Sequence, residues 1–469
     1  MGCCCVLERG VMRVVGVEHV AEFDGFLNTR AARDYQARKQ LVASRRLNET
    51  EIAGLRASPS FNAMLAAWPD AAVFEHDRIP FPSYPQEWPP EMLWEAARLT
   101  LELGRAVLAD DYGLKDATPT NILFRGCQPV FIDALSFERR EPRDPIWKPC
   151  AQFIRTFLLP LLANRRWGVS LADIFTTHRD GLDPEEVYRL CRPLERLHPR
   201  ILSLVSIPTW LSRRANPDDD AIYHPRLLAD PEKARYIVNS VFCRMNRALN
   251  SLQPRSGKSV WSSYMDEHSY QEPAFAAKEQ FVRDALAEFK PARVLDAGAN
   301  TGHFSALAAQ TGASVVAIDL DPVCVGRIWR RACGQNLDIL PLVVNLARPT
   351  PATGWRNAES LSFLDRARGG FGGVLMLALL HHLLVTERIP LAEILTLAAE
   401  LTTDLLVLEF VSPRDSMFRR LTRGRDSLHA GLDEKKFEAA CAGHFQIIRS
   451  LSLPGTQRTL YCLRKKGIR

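Results

Sequence analysis

From Pro291 onward, short runs of Val, Ile and Leu alternate with longer stretches whose apolar positions recur at helical spacing, which predicts a doubly wound parallel sheet. The predicted strands are Arg293–Asp296, Ser314–Asp319, Leu342–Val344, Gly373–Leu377 and Leu405–Glu409. A later pair, Phe445–Ser450 and Thr459–Leu463, reads as a terminal antiparallel hairpin. The pattern also predicts helices from Thr301 through Phe304, Leu307 and Ala308, and over Phe275–Phe289. In the first half, Glu91–Leu108 is an amphipathic helix, Asn121–Phe124 and Val130–Ile132 are short strands around Arg125–Gln128, and Pro231–Asn250 is helical.

Polar residues mark the strand ends. The run Val294-Leu295-Asp296-Ala297-Gly298-Ala299-Asn300-Thr301-Gly302 leaves a strand on an acid and turns on two glycines into a helix, the floor of a nucleoside-cofactor site. Asp296 offers an acceptor to an ammonium group. A dinucleotide fingerprint, G-x-G-x-x-G/A, fails at Asn300 and again at His303. Asp319 ends the next strand 21 residues after Gly298, a spacing at which a carboxylate reaches both ribose hydroxyls of a nucleoside. Asp321 could share that role, and Asp319 could instead cap the helix starting near Pro322.

The D-x-G-x-x-x-G run resembles motif I of class I S-adenosylmethionine (SAM) dependent methyltransferases. The resemblance implies an α/β fold, a Rossmann-like doubly wound sheet of class I methyltransferase type, with SAM as cofactor held by Asp296, Gly298, Asn300, Gly302 and Asp319. It adds Asn345, standing where the class often has Asp, as an acceptor for the adenine amino group. It also implies a lid formed by the segment with Trp261, Tyr264, Tyr270 and Lys278, in which Tyr264 would shield the sulfonium. Those aromatics could equally pack the following helix onto the sheet. On this reading Gly302→Val abolishes cofactor binding and leaves folding largely intact.

After the fourth strand come His381 and His382, either of which could serve as a general base near the methyl acceptor or simply pack and cap. If they continue the strand, their side chains point to opposite faces and at most one lines the crevice. Adjacent histidines without a spaced carboxylate or thiolate are a poor chelate, so no metal is expected there.

Asp116, Asn121 and Asp133, around the predicted hairpin, resemble the catalytic and metal-binding loops of protein-kinase-like phosphotransferases. In that family the first Asp orients the acceptor hydroxyl, while the Asn and second Asp hold Mg²⁺ against nucleotide phosphates. No G-x-G-x-x-G loop or V-A-I-K lysine occurs in residues 12 to 80, and Lys115 replaces the usual aromatic or His, so the resemblance implies a degenerate α+β kinase-like domain. Turn hydrogen bonds would account for Asp116 and Asn121 equally well. Together with Ile79–Trp88 and Ala134–Glu138, the two halves resemble a bacterial family that joins a kinase-like region to a SAM-dependent methyltransferase and includes nodulation-associated methyltransferases, over roughly residues 70 to 469.

Composition narrows the reading further. The 469-residue chain is too long for one ordinary core, and its net charge of +6 is small and scattered, which argues against nucleic acid as partner. Eleven dispersed cysteines without a C-x-x-C pair suit a reduced, cytoplasmic compartment. Cys3-Cys4-Cys5 lacks the myristoylation pattern because Val6 stands where Ser or Thr is needed, and Met12 is the expected start of translation. No apolar run reaches the roughly 18 to 20 residues that span a bilayer, so no membrane partner is expected.

The expected organisation is a variable region over 1–80, the kinase-like domain over 81–215, a helical linker over 216–260 and the methyltransferase-like domain over 261–469. The expected activity is methyl transfer to a small or medium-sized acceptor. The alternative is a kinase-like phosphotransferase, or a nucleotide-binding regulator with a vestigial methyltransferase half.

Overall fold

The structure, a computed structural model, describes residues 2–7, 10–68, 70–213, 227–257, 259, 272–429 and 431–467. The chain divides into two units, residues 1–85 with 90–254 and residues 86–89 with 255–469. The division at Pro254 lies within 216–260, the stretch expected as a linker. The expected separation of 1–80 from 81–215 does not appear, and the helix Pro231–Ser251 is no linker. Its stripe of Ala234, Val238, Phe242, Met245 and Leu249 is buried, as the spacing of these residues at three and four requires. It packs on the helix Pro90–Ala106, where the space of a side chain at Gly104 is taken by Phe242 and the Trp94 indole N–H donates to the Leu249 carbonyl at 3.0 Å.

The N-terminal unit is α+β. Strands β1 (Gly2–Leu7), β2 (Gly10–Val15), β3 (Ser44–Arg46) and β4 (Ala72–His76) form an antiparallel sheet in the order β1-β2-β4-β3. Residues ahead of Met12, the expected start of translation, thus supply the edge strand. Met12, Val14 and Val73 on one sheet face meet Leu55, Phe61, Met64 and Leu65 from two helices to make a core. Two antiparallel pairs follow: the hairpin of β6 (Ile122–Arg125) and β7 (Gln128–Phe131), close to the expected strands, and around it β5 (Tyr112–Leu114) with β8 (Phe137–Arg139), which were not expected.

The C-terminal unit is built on seven strands, β9 (Arg293–Ala297), β10 (Ser314–Asp319), β11 (Ile339–Val343), β12 (Phe371–Met376), β13 (Thr402–Val411), β14 (Phe445–Ser452) and β15 (Arg458–Lys465). Their order is β11-β10-β9-β12-β13-β15-β14, parallel except for β15, which is antiparallel to both neighbours. Nearly continuous apolar runs suit strands covered on both faces by helices. The third strand starts three residues earlier than expected because Pro341 is tolerated on an edge strand, where one row of amides has no partner strand. The fifth runs two residues past Glu409, whose buried carboxylate finds cationic partners inside the unit. The chain winds outward from β9 through β10 to β11, then returns to lay β12 on the other side of β9. That reversal opens a crevice at the carboxyl ends of β9 and β12.

Candidate functional site

A cavity of about 470 Å³ occupies this crevice. Its floor is the turn after β9, where Gly298 (φ 75°), Asn300 (φ 50°) and Gly302 (φ 76°) all take the left-handed conformation that L side chains other than Asn and Asp resist. The turn is tied to the neighbouring strand: the Gly298 and Ala299 amides both donate to the Ile318 carbonyl, at 2.9 and 3.0 Å. The Asn300 amide donates to the Asp319 carboxylate at 2.8 Å, and the Asp321 amide to its other oxygen at 2.9 Å. Asp319 is thus fixed by backbone donors and keeps its remaining lone pairs for the cavity it lines.

Asp321, the alternative ribose ligand, instead caps the helix Pro322–Gln335 by accepting from the Val323 amide at 2.8 Å, and it also accepts from the Ser259 hydroxyl. Capping therefore falls to Asp321. Asn345 lines the cavity while its side-chain oxygen accepts from the Ala347 amide at 2.9 Å, which leaves it one further lone pair.

Asp296, 2% exposed, lies at the cavity wall and accepts from the Ser305 hydroxyl at 2.6 Å. Burial pushes its carboxyl up to about 6, opposed by the Ser305 bond and by Lys278 and reinforced by the charge of Asp319. Burial likewise raises Asp319, against its two backbone donors.

His381 and His382 both line the cavity, with ring centroids 4.2 Å apart. The expectation that they face opposite ways fails because the strand has already ended: β12 stops at Met376, Ala378 takes φ 53°, and His382 opens a π-helical turn that continues to Thr386. A non-glycine residue at positive φ beside a cavity and a π turn next to it are both features that collect at functional sites. His381 is buried and its Nδ1 has no hydrogen-bond partner. Burial drops it to about 3, so its imidazole is neutral at any physiological pH; burial lowers His382 as well. Burial thus weakens both rings as bases.

Below the histidines lies a chain of buried charges. Lys278 Nζ meets Glu409 Oε2 at 2.6 Å, Arg458 Nη1 meets Glu409 Oε1 at 3.2 Å, and Arg458 Nε meets Asp415 Oδ2 at 3.0 Å. Lys278, assigned above to a lid, is instead held in this network. Tyr264, Trp261 and Tyr270 lie outside the described residues.

Residues 268–454 match the family model of a methyltransferase domain. The C-terminal unit carries a methyltransferase domain. The chain is also 28% identical over 395 residues to nodulation protein NoeA of Rhizobium meliloti (strain 1021), covering 83% of this chain and 81% of the relative. That match is longer than the C-terminal unit and so extends into the N-terminal one. Solved structures similar in part include N-methyltransferase NodS of Bradyrhizobium japonicum WM9, at 13% identity over 42% of this chain and 99% of that one with a TM-score of 0.32. WbdD is similar at 19% identity over 42% of this chain and 40% of that one, with a TM-score of 0.30.

Within the methyltransferase domain, Gly302 has a structural duty that the sequence did not reveal. A β-carbon there would stand 2.8 Å from Ile328 Cγ1, deep in the core, at a backbone angle that penalises any side chain. Gly302→Val therefore damages folding as well as the site, contrary to the expectation above. For the milder Gly302→Ala we expect a stability loss of about 2 kcal/mol, from left-handed strain plus overpacking, measured by denaturant unfolding.

The N-terminal candidates do come together. The Asn121 amide nitrogen donates to the Asp116 carbonyl at 3.3 Å and to Ser136 Oγ at 3.2 Å, and Ser136 donates to Asp133 at 2.6 Å. Asp133 is also paired with Arg13 of β2 at 2.5 Å, which holds its carboxyl below the usual range despite the opposing effect of burial. Both Asp133 oxygens are thus engaged by protein donors, and among the described residues no cluster of three or more His, Cys, Asp or Glu has metal-binding geometry. The positive charge beside Asp133 is a guanidinium.

Three features of the methyltransferase domain escaped sequence reasoning: Ser305, the Ala378 conformation and the Glu409 network. The last had a signal, since an acid inside Leu405–Val411 must find cations if the strand is buried, and Arg458 and Lys278 were available.

Proposed function

We propose that the C-terminal unit is a class I SAM-dependent methyltransferase acting on an O, N or C nucleophile of a small or medium-sized acceptor. The observation that carries this reading is the meeting, at one strand-order reversal, of a left-handed turn with two carboxylates of distinct duty. The residues present fit the cofactor. Asp296 would pair with its ammonium, Asp319 with the ribose hydroxyls, and the free lone pair of Asn345 with the adenine amino group, while Asn300, Gly298 and Gly302 keep the floor clear. When bound, SAM supplies an electrophilic methyl group on a sulfonium.

The chain's own contribution is positioning and desolvation. His381 would line the acceptor side as a buried, uncharged ring that helps fix the acceptor's orientation without competing for its proton. The His382 ring packs against that of His381 at a tilt of 41° and confines it. Leu379, Leu383, Met417 and Leu421 exclude water around the transfer path. The gathering of Asp116, Asn121 and Asp133 supports reading the N-terminal unit as a degenerate kinase-like module, held by Arg13 rather than poised for phosphotransfer.

Calorimetry with S-adenosylhomocysteine tests the proposal. Because the ionised form of Asp296 is the one that binds ammonium and its free carboxyl titrates at about 6, affinity is expected to fall about tenfold from pH 7 to pH 5. Asp296→Asn should bind weakly with a flatter pH profile, since Asp319, also raised by burial, remains. No binding by the wild type, beside clear binding of ATP with Mg²⁺, would sink the reading.

A further inference from the structure

The N-terminal unit carries an apolar surface cluster that the methyl-transfer reading does not use. Between Val187 and Arg213 the chain folds as the end of the helix Pro184–Leu190, a turn at Glu195–Leu197, a π turn at Leu202–Ser206 and the helix Ile207–Ser212, all packed on one another. Val187, Ile201, Leu204, Val205 and Thr209 face inward and are buried. Large apolar side chains nevertheless remain outside: Leu194 is 85% exposed, Leu197 and Leu211 63% each, and Trp210 38%.

Tyr188 ties part of this surface together. The Trp210 indole donates to the Tyr188 hydroxyl at 3.3 Å, and the guanidinium carbons of Arg196 and Arg213 stand 4.1 and 5.5 Å from the centre of the Tyr188 ring. The segment 187–213 holds five arginines, Arg189, Arg192, Arg196, Arg200 and Arg213, against the single acid Glu195. Glu195 is already committed, to Arg166 at 2.7 Å and to the Arg192 amide at 2.9 Å.

We propose that this arginine-rimmed cluster docks the protein on the surface of an anionic lipid bilayer. Exposed leucines enter the acyl boundary, an amphipathic indole sits at the headgroup level, and arginines reach phosphates: the chemistry matches an interface that is apolar beneath and negative above. Among the described residues no helix is long and apolar enough to cross a membrane, which bears on spanning and leaves surface docking open.

The test is co-sedimentation of the full chain with phosphatidylcholine vesicles, with and without phosphatidylglycerol, at low and high salt. Binding is expected only with the anionic lipid and should be reversed by salt. Leu194→Ser/Leu197→Ser and Arg192→Glu/Arg200→Glu, all at exposed positions, should each lower the partition coefficient roughly tenfold or more, with unchanged melting temperature. A blue shift on vesicle addition that is lost in Trp210→Phe would place the indole in the interface. Absence of binding, equal binding to both vesicle types, or binding indifferent to both double variants would overturn the proposal. So would variant-sensitive self-association or capture of an acidic protein without vesicle binding, since the face would then belong to a protein interface.

Discussion

Asp319→Ala is expected to weaken S-adenosylhomocysteine binding at least about a hundredfold while the protein stays folded. The Asp319 carboxylate does two things at once: it accepts from the Asn300 and Asp321 amides, and it lines the cavity with lone pairs to spare. A hydrogen bond to a charged group contributes about 1.5–3 kcal/mol, so losing the two ribose contacts proposed for it costs about 3 kcal/mol or more of binding free energy. The loosened Asn300 amide adds to this, because the glycine turn is no longer clamped to β10. Asp319→Asn separates the two effects, since its side-chain oxygen can still accept from one amide but carries no charge. Calorimetry of the three proteins, with thermal unfolding as the control, decides the matter. Near-normal affinity in Asp319→Ala would mean that the carboxylate only holds the turn.

What the sequence disclosed and what it hid follow from the range of the interactions involved. Strand β10 was read to the residue because a β-branched run ended in an acid and was followed by Asp321-Pro322, a local helix start. The turn at Gly298 and Gly302 was legible because positive φ leaves a mark in composition. Ala378 takes the same backbone region without any such mark, and the two histidines were misplaced as a result. Lys278 and Glu409 are 131 residues apart in the chain, and only the packing of the helix Glu272–Phe289 on β13 brings them together. Local pattern assigned each to a plausible place alone and could not pair them.

The N-terminal half shows the same limit. The β6–β7 hairpin and its flanking Asp116, Asn121 and Asp133 were visible as spacing, yet Arg13 lies 120 residues ahead of its partner Asp133. A motif read along the chain records which groups are present. It does not record which of them a distant guanidinium has already engaged, and here that engagement changes the chemistry available.

The largest effect on folding is expected from Glu409→Ala. Its carboxylate is fully buried and bridges Lys278 and Arg458, so truncation leaves two cations in the interior facing a gap, although Arg458 keeps Asp415. Breaking a buried pair from one side costs about 3–5 kcal/mol, which for a domain of this size lowers the melting temperature by about 10 °C. Removing opposite charges together should cost far less: Lys278→Met/Glu409→Gln is expected to recover most of the loss, since Gln can still accept from Arg458 and Met fills the lysine's apolar stem volume. A single variant that costs under about 1 kcal/mol would show that water reaches the network. The double variant also isolates the role of the field at the histidines. His381 feels Glu409 as a favourable charge and Lys278 as an unfavourable one, so removing both leaves its protonation nearly unchanged. A double variant that folds and binds S-adenosylhomocysteine normally but has lost methyl transfer would then show that the network places His381 against the acceptor, beyond holding the sheet together.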